Sequence, residues 1–243
     1  MKVEINAFKE KTLTEQLIKS KKRVKIHGEV FTPSWMVQEM LNAPGIKESC
    51  ENISATFLEP SAGDGNFLQA ILERKLRAVV KQYNERNWKT KSLIALSSIY
   101  GIEFLEDNLE VARSRMFLYY LDWYEQTFGI KLTSKSDIYK SAHYLIYKNI
   151  VRGNTLTQKH PVTEEYIRFN EWQIVKGHPS KVRKIPFFLS EILGKKVEDE
   201  RIVVEGQLSL FDTEEWNAIE DKVIDEMTAM EEVNIKKVYL LGD

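Results

Sequence analysis

The sequence predicts an α/β fold in which a mostly parallel sheet has helices on both faces. Three short apolar runs typical of buried strands, at residues 55–59, 98–103 and 149–152, alternate with longer segments of helical periodicity. The first run leads directly into a loop rich in small residues and then into a helix. In sheets of this kind, ligands bind at the carboxyl ends of the strands.

The composition of the 243-residue chain is that of a globular protein with at most about two small domains. There are 35 Lys and Arg against 36 Asp and Glu, which gives a net charge of −1. This balance excludes nucleic-acid binding driven by a high positive charge of the whole chain. No apolar run approaches the roughly 18 residues that span a bilayer, and the first residues lack a secretory signal. We therefore expect a cytoplasmic protein without membrane contact. One cysteine and four scattered histidines give no metal-ligand spacing, so no metal site is expected.

Residues 1–27 form the first of three predicted segments, an N-terminal helix and a basic linker. The helical pattern of Leu13, Leu17 and Ile18 is followed by a run of basic residues between Lys19 and Lys25. Such a run is usually a solvated face or a linker, and the alternative is a contact with phosphate.

Residues 28–160 form the predicted core. A short helix at residues 34–41 ends before Pro44 and Gly45. A longer helix follows the small-residue loop, and another begins near Asp107, with Glu110 three residues later, as in a capped helix start. We expect residues 84–96, between the first two strands, to be an inserted loop and a helix extension.

Residues 161–243 form the third predicted segment, which is irregular at first. Polar, aromatic and turn residues up to position 186 give no clear periodicity. A strand is predicted at residues 202–204 and a C-terminal helix at about 214–233, where Asp212 or Thr213 can cap the start.

The strongest chemical signal is the loop between the first strand and its helix. The strand ends in Glu59, and the chain then passes through Ser61, Gly63 and Gly65 into the helix, which lets backbone amides approach a ligand closely. Glu103 ends the second strand, where its carboxylate can accept hydrogen bonds from both hydroxyls of a ribose. The sequence therefore predicts a nucleoside cofactor. A dinucleotide is disfavoured, because a third glycine is missing and Glu103 follows Gly65 by more than the usual roughly 20 residues.

Four segments resemble motifs of the adenine-specific (N6, amino-group) DNA methyltransferases of bacterial restriction-modification systems. These are Gly28-Glu29-Val30-Phe31-Thr32-Pro33, Glu59-Pro60-Ser61-Ala62-Gly63-Asp64-Gly65-Asn66-Phe67-Leu68, Gly101-Ile102-Glu103 and Gly153-Asn154-Thr155-Leu156. The resemblance implies a Rossmann-like S-adenosylmethionine-dependent methyltransferase fold, incomplete in its C-terminal half. It also implies an S-adenosylmethionine site formed by Phe31, Thr32, Glu59, Ser61, Gly63, Gly65, Phe67, Glu103 and Asn154.

Simpler structural roles remain open for several of these positions. Phe31 and Phe67 are also suited to core packing, Thr32 to capping the helix that follows Pro33, and Glu103 to a solvated strand end.

The catalytic motif of the resembled family is missing. That family holds the amine of an extruded adenine with an Asp/Asn-Pro-Pro-aromatic loop, and this chain contains no Pro-Pro pair. The nearest substitute is Asn170 and Trp172, which supply an amide and an aromatic ring sixteen residues after Asn154. Packing is the alternative role for them. The 89 residues after Asn154 are few for the rest of the sheet and a target-recognition domain, so we expect DNA recognition to require a partner subunit or to have been lost.

A partner-binding peptide is predicted near the C-terminus. It matches the pentapeptide by which many bacterial replication and repair proteins bind the sliding clamp, with Ser209 at its centre and Gln207, Leu208, Leu210 and Phe211 as the expected contacts. The alternative is an amphipathic strand or an internal hydrophobic contact with the following helix.

Three functions follow as hypotheses. The first is a methyltransferase acting on the exocyclic amine of adenine in DNA. The second is a catalytically inactive cofactor-binding or regulatory subunit of a restriction-modification or mobile-element assembly, tethered to the sliding clamp. The third is a methyltransferase for RNA or protein, which the Phe-Thr-Pro motif disfavours.

Overall fold

A computed structural model describes residues 17–192 and 232–242 of the chain. The helices of these ranges are α1 (Lys21–His27), α2 (Ser34–Leu41), α3 (Ile46–Glu51), α4 (Asn66–Gln82), α5 (Glu85–Ser97), α6 (Glu106–Phe128), α7 (Asp137–Asn149) and α8 (Leu189–Ile192), with a kinked 3-10 segment at Ile235–Leu241. The strands are β1 (Phe57–Glu59), β2 (Ile99–Glu103), β3 (Ile150–Arg152), β4 (Arg168–Ile174), β5 (Lys181–Phe188) and β6 (Glu232–Asn234).

The first three strands form a small parallel sheet in the order β1-β2-β3. Glu59 pairs with Gly101, and Glu103 pairs with Arg152, so the carboxyl ends of the three strands meet at one edge. The predicted α/β class, with its parallel sheet, is confirmed, and each of the three predicted strands lies within two residues of its observed bounds.

The two faces of β2 are covered by different kinds of structure. Gly101 faces α4, because a Cβ at this position would lie 3.0 Å from the side chain of Leu68. Tyr100 points to the opposite face, since successive residues of a strand alternate, and its ring packs on Phe169 and Phe187 at centroid distances of 5.4 and 6.1 Å. The prediction of helices on both faces is therefore wrong in part: an antiparallel sheet in the order β4-β5-β6 covers the Tyr100 side.

Residues 161–186, which were predicted to be irregular, contain most of this second sheet. Along β4 the buried residues are Phe169 and Trp172, which are three positions apart and therefore on opposite faces. Phe169 faces β2, whereas Trp172 packs on Tyr144 of α7. This strand is covered on both sides at different points, so it lacks the two-residue alternation by which a half-buried strand is recognised.

Three further segments differ from prediction. The basic run forms α1, because the Ser20 side chain caps it by accepting from Arg23 N–H and Gly28 ends it with a φ of 65°. The inserted loop and helix extension expected at residues 84–96 are instead a separate helix, α5 (Glu85–Ser97), and α7 is a helix that the sequence analysis does not predict. The strand predicted at residues 202–204 and most of the helix predicted at 214–233 lie outside the described residues, although Glu232–Asn234 is a strand.

Candidate functional site

The loop after β1 favours glycine at two positions and requires it at the second. Gly63 and Gly65 have φ values of 55° and 89°, in the left-handed region that favours glycine. A Cβ on Gly65 would also lie 2.9 Å from the Cα of Ala112 in α6, which is too close for any side chain. The loop therefore lies directly on α6, and α4 begins at the next residue, Asn66.

Glu103 at the end of β2 holds this loop in place. Its side chain is only 5% exposed. Oε2 accepts a hydrogen bond from the backbone N–H of Gly63 at 2.8 Å, and Oε1 accepts one from the N–H of Leu105 at 2.9 Å. Burial raises the pKa of the Glu103 carboxyl, and these amide hydrogen bonds oppose that rise. Glu103, the residue predicted to bind a ribose, therefore also holds the glycine loop against the end of the sheet.

Glu59 supplies a second carboxylate at the same edge. It is half-buried, its Oε1 accepts from Ser61 N–H at 3.1 Å, and burial raises its pKa. Within the described ranges, neither Glu59 nor Glu103 forms an ion pair, and Arg152, the β3 partner of Glu103, binds Glu106 instead at 2.8 Å. Two poorly solvated carboxylates without a cationic partner from the described residues favour a positively charged ligand at this edge.

Phe31 and Thr32, in the segment before α2, lie against the loop as expected. The Phe31 ring is buried and would be 3.4 Å from a Cβ on Gly63. The carbonyl oxygen of Thr32 accepts from Asn66 Nδ2 at 3.1 Å. Phe67 is half-buried against the core, so packing is part of its role.

Asn154 follows β3 and completes the set of residues at the edge. Its Oδ1 accepts from the backbone N–H groups of Leu156 and Thr157, at 3.0 and 3.4 Å, and so braces a turn. The neighbouring Thr155 hydroxyl donates to the carbonyl oxygen of Pro60 at 2.5 Å. Because β2 lies between β1 and β3, the loops after the outer strands meet across the end of the central strand.

A network of charged residues that was not predicted ties the N-terminal segment to α6. Arg23 donates to Glu29 at 2.8 Å and to Asp107 at 2.9 and 3.0 Å, and Lys19 donates to Asp107 at 2.8 Å. Asn108 Nδ2 donates to Glu29 at 2.7 Å. Hydrogen bonds from Arg23 and Lys19 lower the pKa of Asp107 to about 2, and the hydrogen bond from Arg23 lowers that of Glu29.

This network changes the interpretation of the basic run. Two of its residues, Lys19 and Arg23, bind carboxylates of the same chain, so phosphate contact by these two is not supported. No local sequence pattern predicts the pairing, because Arg23 and Asp107 are 84 residues apart.

A cleft of about 500 Å³ lies beside the loop, between α2, α4 and α6. Phe31, Asp64, Asn66 and Arg115 are among the residues that line it. Arg115 donates to Asp64 at 2.7 Å, so this carboxylate, unlike Glu59, has a cationic partner among the described residues. Glu59, Glu103 and Asn154 do not line the cleft, and we place the candidate site at the sheet edge where those residues lie.

The structure does not support the predicted catalytic role of Asn170 and Trp172. Both lie on β4, in the second sheet, rather than in a loop after a parallel strand. Trp172 is 6% exposed, its Nε1–H donates to Asn149 Oδ1 at 2.8 Å, and Tyr144 packs against its ring. The backbone carbonyl of Asn170 accepts from the Tyr100 hydroxyl at 2.8 Å. Trp172 is a packing residue, with its ring enclosed by the core and unable to stack on an extruded base.

The predicted clamp-binding residues Gln207, Leu208, Leu210 and Phe211 lie outside the described residues. Across the ranges that the structure covers, no three His, Cys, Asp or Glu side chains gather in a way that could hold a metal ion. None of the described helices combines the length and apolar character that crossing a bilayer requires. Comparisons with protein-family models, curated proteins and solved structures gave no significant match.

Proposed function

We propose that this chain binds S-adenosylmethionine at the carboxyl edge of its parallel sheet and is related to the adenine-specific DNA methyltransferases. The observation that carries the proposal is the bond from Gly63 N–H to the buried Glu103 carboxylate. It joins a glycine loop at the start of a helix to an acidic strand end, which is the arrangement that nucleoside cofactors use. The β1-β2-β3 order equals one half of a doubly wound sheet and supports a Rossmann-like fold.

The hydrogen-bonding groups at this edge fit this cofactor. A carboxylate offers about four acceptor positions; Glu103 gives one on each oxygen to a backbone amide and also takes a hydrogen bond from the Asn108 side chain, which leaves a position for a ribose hydroxyl. Asn154 uses Oδ1 in its turn and retains the Nδ2 donor for a ring nitrogen of adenine. The positive charges of the ligand complement the carboxylates of Glu59 and Glu103.

S-adenosylmethionine supplies a methyl group on a sulfonium, and in the resembled family that group goes to the exocyclic amine of adenine in DNA. The residues of this chain would orient the cofactor rather than activate it. Glu103 fixes the ribose, Glu59 offsets positive charge, and Phe31 with Thr32 closes the side of the loop that faces α2.

A second candidate function is a cofactor-binding subunit without catalytic activity, within a restriction-modification or mobile-element assembly. The burial of Trp172 favours it, because the nearest substitute for the family's catalytic loop is part of the core. Target recognition by a partner subunit and attachment to the sliding clamp are further elements of this proposal. Both candidates require the same cofactor site.

Isothermal titration calorimetry with S-adenosylmethionine tests the site. We expect micromolar affinity for the parent chain and a loss of at least about tenfold in Glu103→Ala, because a charge-assisted hydrogen bond contributes about 1.5 to 3 kcal/mol. Glu171→Ala is the matched control, since this residue is exposed on β4. No binding by the parent chain at millimolar cofactor, or equal affinities for the two variants, would refute the site.

Transfer of a tritiated methyl group into mixed bacterial DNA separates the two functions. Incorporation by the purified chain supports the methyltransferase. Incorporation that requires the products of neighbouring genes supports the subunit, provided that calorimetry has shown cofactor binding by the chain alone.

A further inference from the structure

Asn108, in the first turn of α6, links the candidate cofactor site to the N-terminal segment. It is 1% exposed, so its polar atoms depend on partners within the protein. Oδ1 accepts from Lys19 Nζ at 2.5 Å, and Nδ2 donates to Glu29 at 2.7 Å. The same side chain also hydrogen-bonds the carboxylate of Glu103. One buried amide therefore contacts the proposed ribose-binding residue and two residues that precede α2.

The orientation of the Asn108 amide is fixed by its partners. A lysine ammonium has only donors, so the atom that faces Lys19 must be the amide oxygen. The hydrogen bond from Arg23 lowers the pKa of Glu29, and the ionised carboxylate only accepts. The NH2 group of the amide therefore faces the carboxylates. A flipped amide would set oxygen against carboxylate and donor against donor.

Glu103 is held by donors on several sides because it is almost completely buried. The backbone N–H groups of Gly63 and Leu105 each donate to one of its oxygens, at 2.8 and 2.9 Å. Leu105 is the N-cap of α6, so the positive end of this helix also favours the charged carboxylate. With Asn108, three donors occupy three of the about four acceptor positions of the carboxylate. The position that remains for a ligand therefore has a defined direction.

Asn108 also joins two buried carboxylates of like charge. Glu29 is 8% exposed and Glu103 is 5% exposed. Burial and, to a smaller extent, the charge of Glu29 raise the pKa of Glu103, and an amide that donates to both groups stabilises the two charges together. A continuous chain of hydrogen bonds runs from Arg23 through Glu29, Asn108 and Glu103 to the N–H of Gly63.

We propose that Asn108 is a positioning residue of the cofactor site, which holds the Glu103 carboxylate in the orientation that accepts a ribose hydroxyl, while Lys19 and Glu29 hold Asn108. The inference rests on the proposed cofactor function and deepens it. Asn108 acts through Glu103 and not by contact with the cofactor. The N-terminal segment thereby supports a site at the far end of this chain of hydrogen bonds.

Calorimetry with two ligands distinguishes positioning from general support of the fold. The ligands are S-adenosylmethionine and its dideoxy analogue, which lacks both ribose hydroxyls. Asn108→Leu removes the amide at a similar volume and should bind S-adenosylmethionine at least about fivefold more weakly than the parent chain does. The two chains should bind the analogue with affinities equal within about twofold. A variant that merely distorted the site would lose the same factor for both ligands.

Asn149→Leu is the matched control. Asn149 is also 1% exposed, and its Nδ2 donates to the carbonyl oxygens of Ser97 and Ile99 at 2.9 and 3.2 Å, at the amino end of the parallel sheet. This variant should lower the melting temperature, as Asn108→Leu does, but leave the affinity for both ligands unchanged.

Lys19→Met tests the same chain of contacts with a milder change. The Lys19 side chain is 30% exposed, so its replacement leaves the core intact but releases the amide of Asn108 to flip. Affinity for S-adenosylmethionine should fall by at least about threefold, and affinity for the analogue should not change. Lys22→Met removes the same charge from an exposed position on α1 and should bind both ligands as the parent chain does.

Two results would overturn the inference while cofactor binding by the parent chain stands. One is equal affinity of the parent chain and folded Asn108→Leu for S-adenosylmethionine, with Lys19→Met deciding if Asn108→Leu does not fold. The other is an equal loss for the two ligands. Failure of the parent chain to bind at millimolar cofactor would instead refute the cofactor site and this inference together.

Discussion

The carboxylate of Glu103 accepts a hydrogen bond from the backbone N–H of Gly63 at 2.8 Å, although the two residues are 40 positions apart in the chain. The bond fixes the glycine loop on the end of β2. The residue proposed to bind the ribose therefore also shapes the loop that is proposed to contact the cofactor. A preorganised site of this kind loses little conformational entropy on binding, which supports affinity for a small cationic ligand.

Cofactor affinity should fall as the pH is lowered. Burial raises the pKa of Glu59 and of Glu103, so both protonate at a higher pH than an exposed glutamate does. Protonation removes the negative charge that a sulfonium and an ammonium group require. We expect affinity to decline by at most about tenfold per pH unit for each carboxylate, measured by calorimetry between about pH 8 and about pH 5.

Without cofactor, the contribution of these two carboxyl groups to the free energy of unfolding should depend on pH with the opposite sign. A carboxyl group whose folded pKa is raised stabilises the fold below its unfolded pKa, and this stability is lost as the pH rises through the folded value. The cofactor should therefore increase the melting temperature more at pH 8 than at pH 5. An affinity independent of pH would contradict the participation of these carboxylates.

Gly65→Ala should destabilise the fold strongly. Alanine is strained at a φ of 89°, and its Cβ would lie 2.9 Å from the backbone of Ala112. Strain and overpacking together should cost about 2 to 5 kcal/mol of unfolding free energy in urea titrations. Gly129→Ala is the control, because Gly129 has a φ of 64° with no atom within 4 Å of an added Cβ and should cost only about 1 kcal/mol. Equal losses would show that the contact with α6 is unimportant.

Local patterns predicted the parallel sheet well and the rest of the fold poorly. Strand β2 is buried on both faces and has a nearly continuous apolar sequence, which is typical of a strand in a parallel sheet. The loop before α4 is rich in glycine and small residues, which is typical of a tight turn between a strand and a helix. Strand β4 escaped prediction because Phe169 and Trp172 are buried against different neighbours, β2 and α7. A single sequence does not reveal which elements will meet.

In the candidate site too, some features could be predicted from local sequence patterns and others depend on tertiary packing. Glu59 and Glu103 end strands, Gly63 and Gly65 follow one, and parallel pairing brings strand ends together, so the convergence of these residues could be predicted. The pairing of Arg23 with Asp107 depends on how the N-terminal segment crosses α6, which no local pattern contains. The burial of Trp172 on β4 does not support its predicted catalytic role, and spacing along the chain cannot distinguish an exposed loop from a covered strand.

Lys75 should make stability increase with pH above neutrality. It is fully buried, and its Nζ donates to the carbonyl oxygen of Ala55 at 2.5 Å and to Ser98 Oγ at 2.7 Å. Burial lowers its pKa to about 7, so between that value and the ordinary lysine value the unfolded chain binds more protons than the folded one. Unfolding free energy should rise from about pH 7 to about pH 9 by at most about 1.4 kcal/mol per unit.

The variant Lys75→Met isolates this contribution, because methionine fills a similar volume and does not titrate. We expect urea titrations of the variant to show a flatter dependence on pH than those of the parent chain over the same window. Parallel profiles would mean that Lys75 keeps its proton throughout, held by its carbonyl acceptors and by the ring of Phe57 at 5.1 Å.

Trp172→Phe should lower stability without changing cofactor affinity. Phenylalanine keeps an aromatic ring beside Tyr144 but removes the Nε1–H donor, which leaves the buried Asn149 Oδ1 without that hydrogen bond. The unsatisfied acceptor should cost about 1 to 3 kcal/mol of unfolding free energy, whereas S-adenosylmethionine binding should match that of the parent chain. Trp35→Phe is the control and should change neither quantity, because Trp35 is 63% exposed on α2. If Trp172→Phe instead kept full stability and abolished methyl transfer, the prediction would be contradicted. That result would indicate that the Trp172 ring contacts the substrate directly.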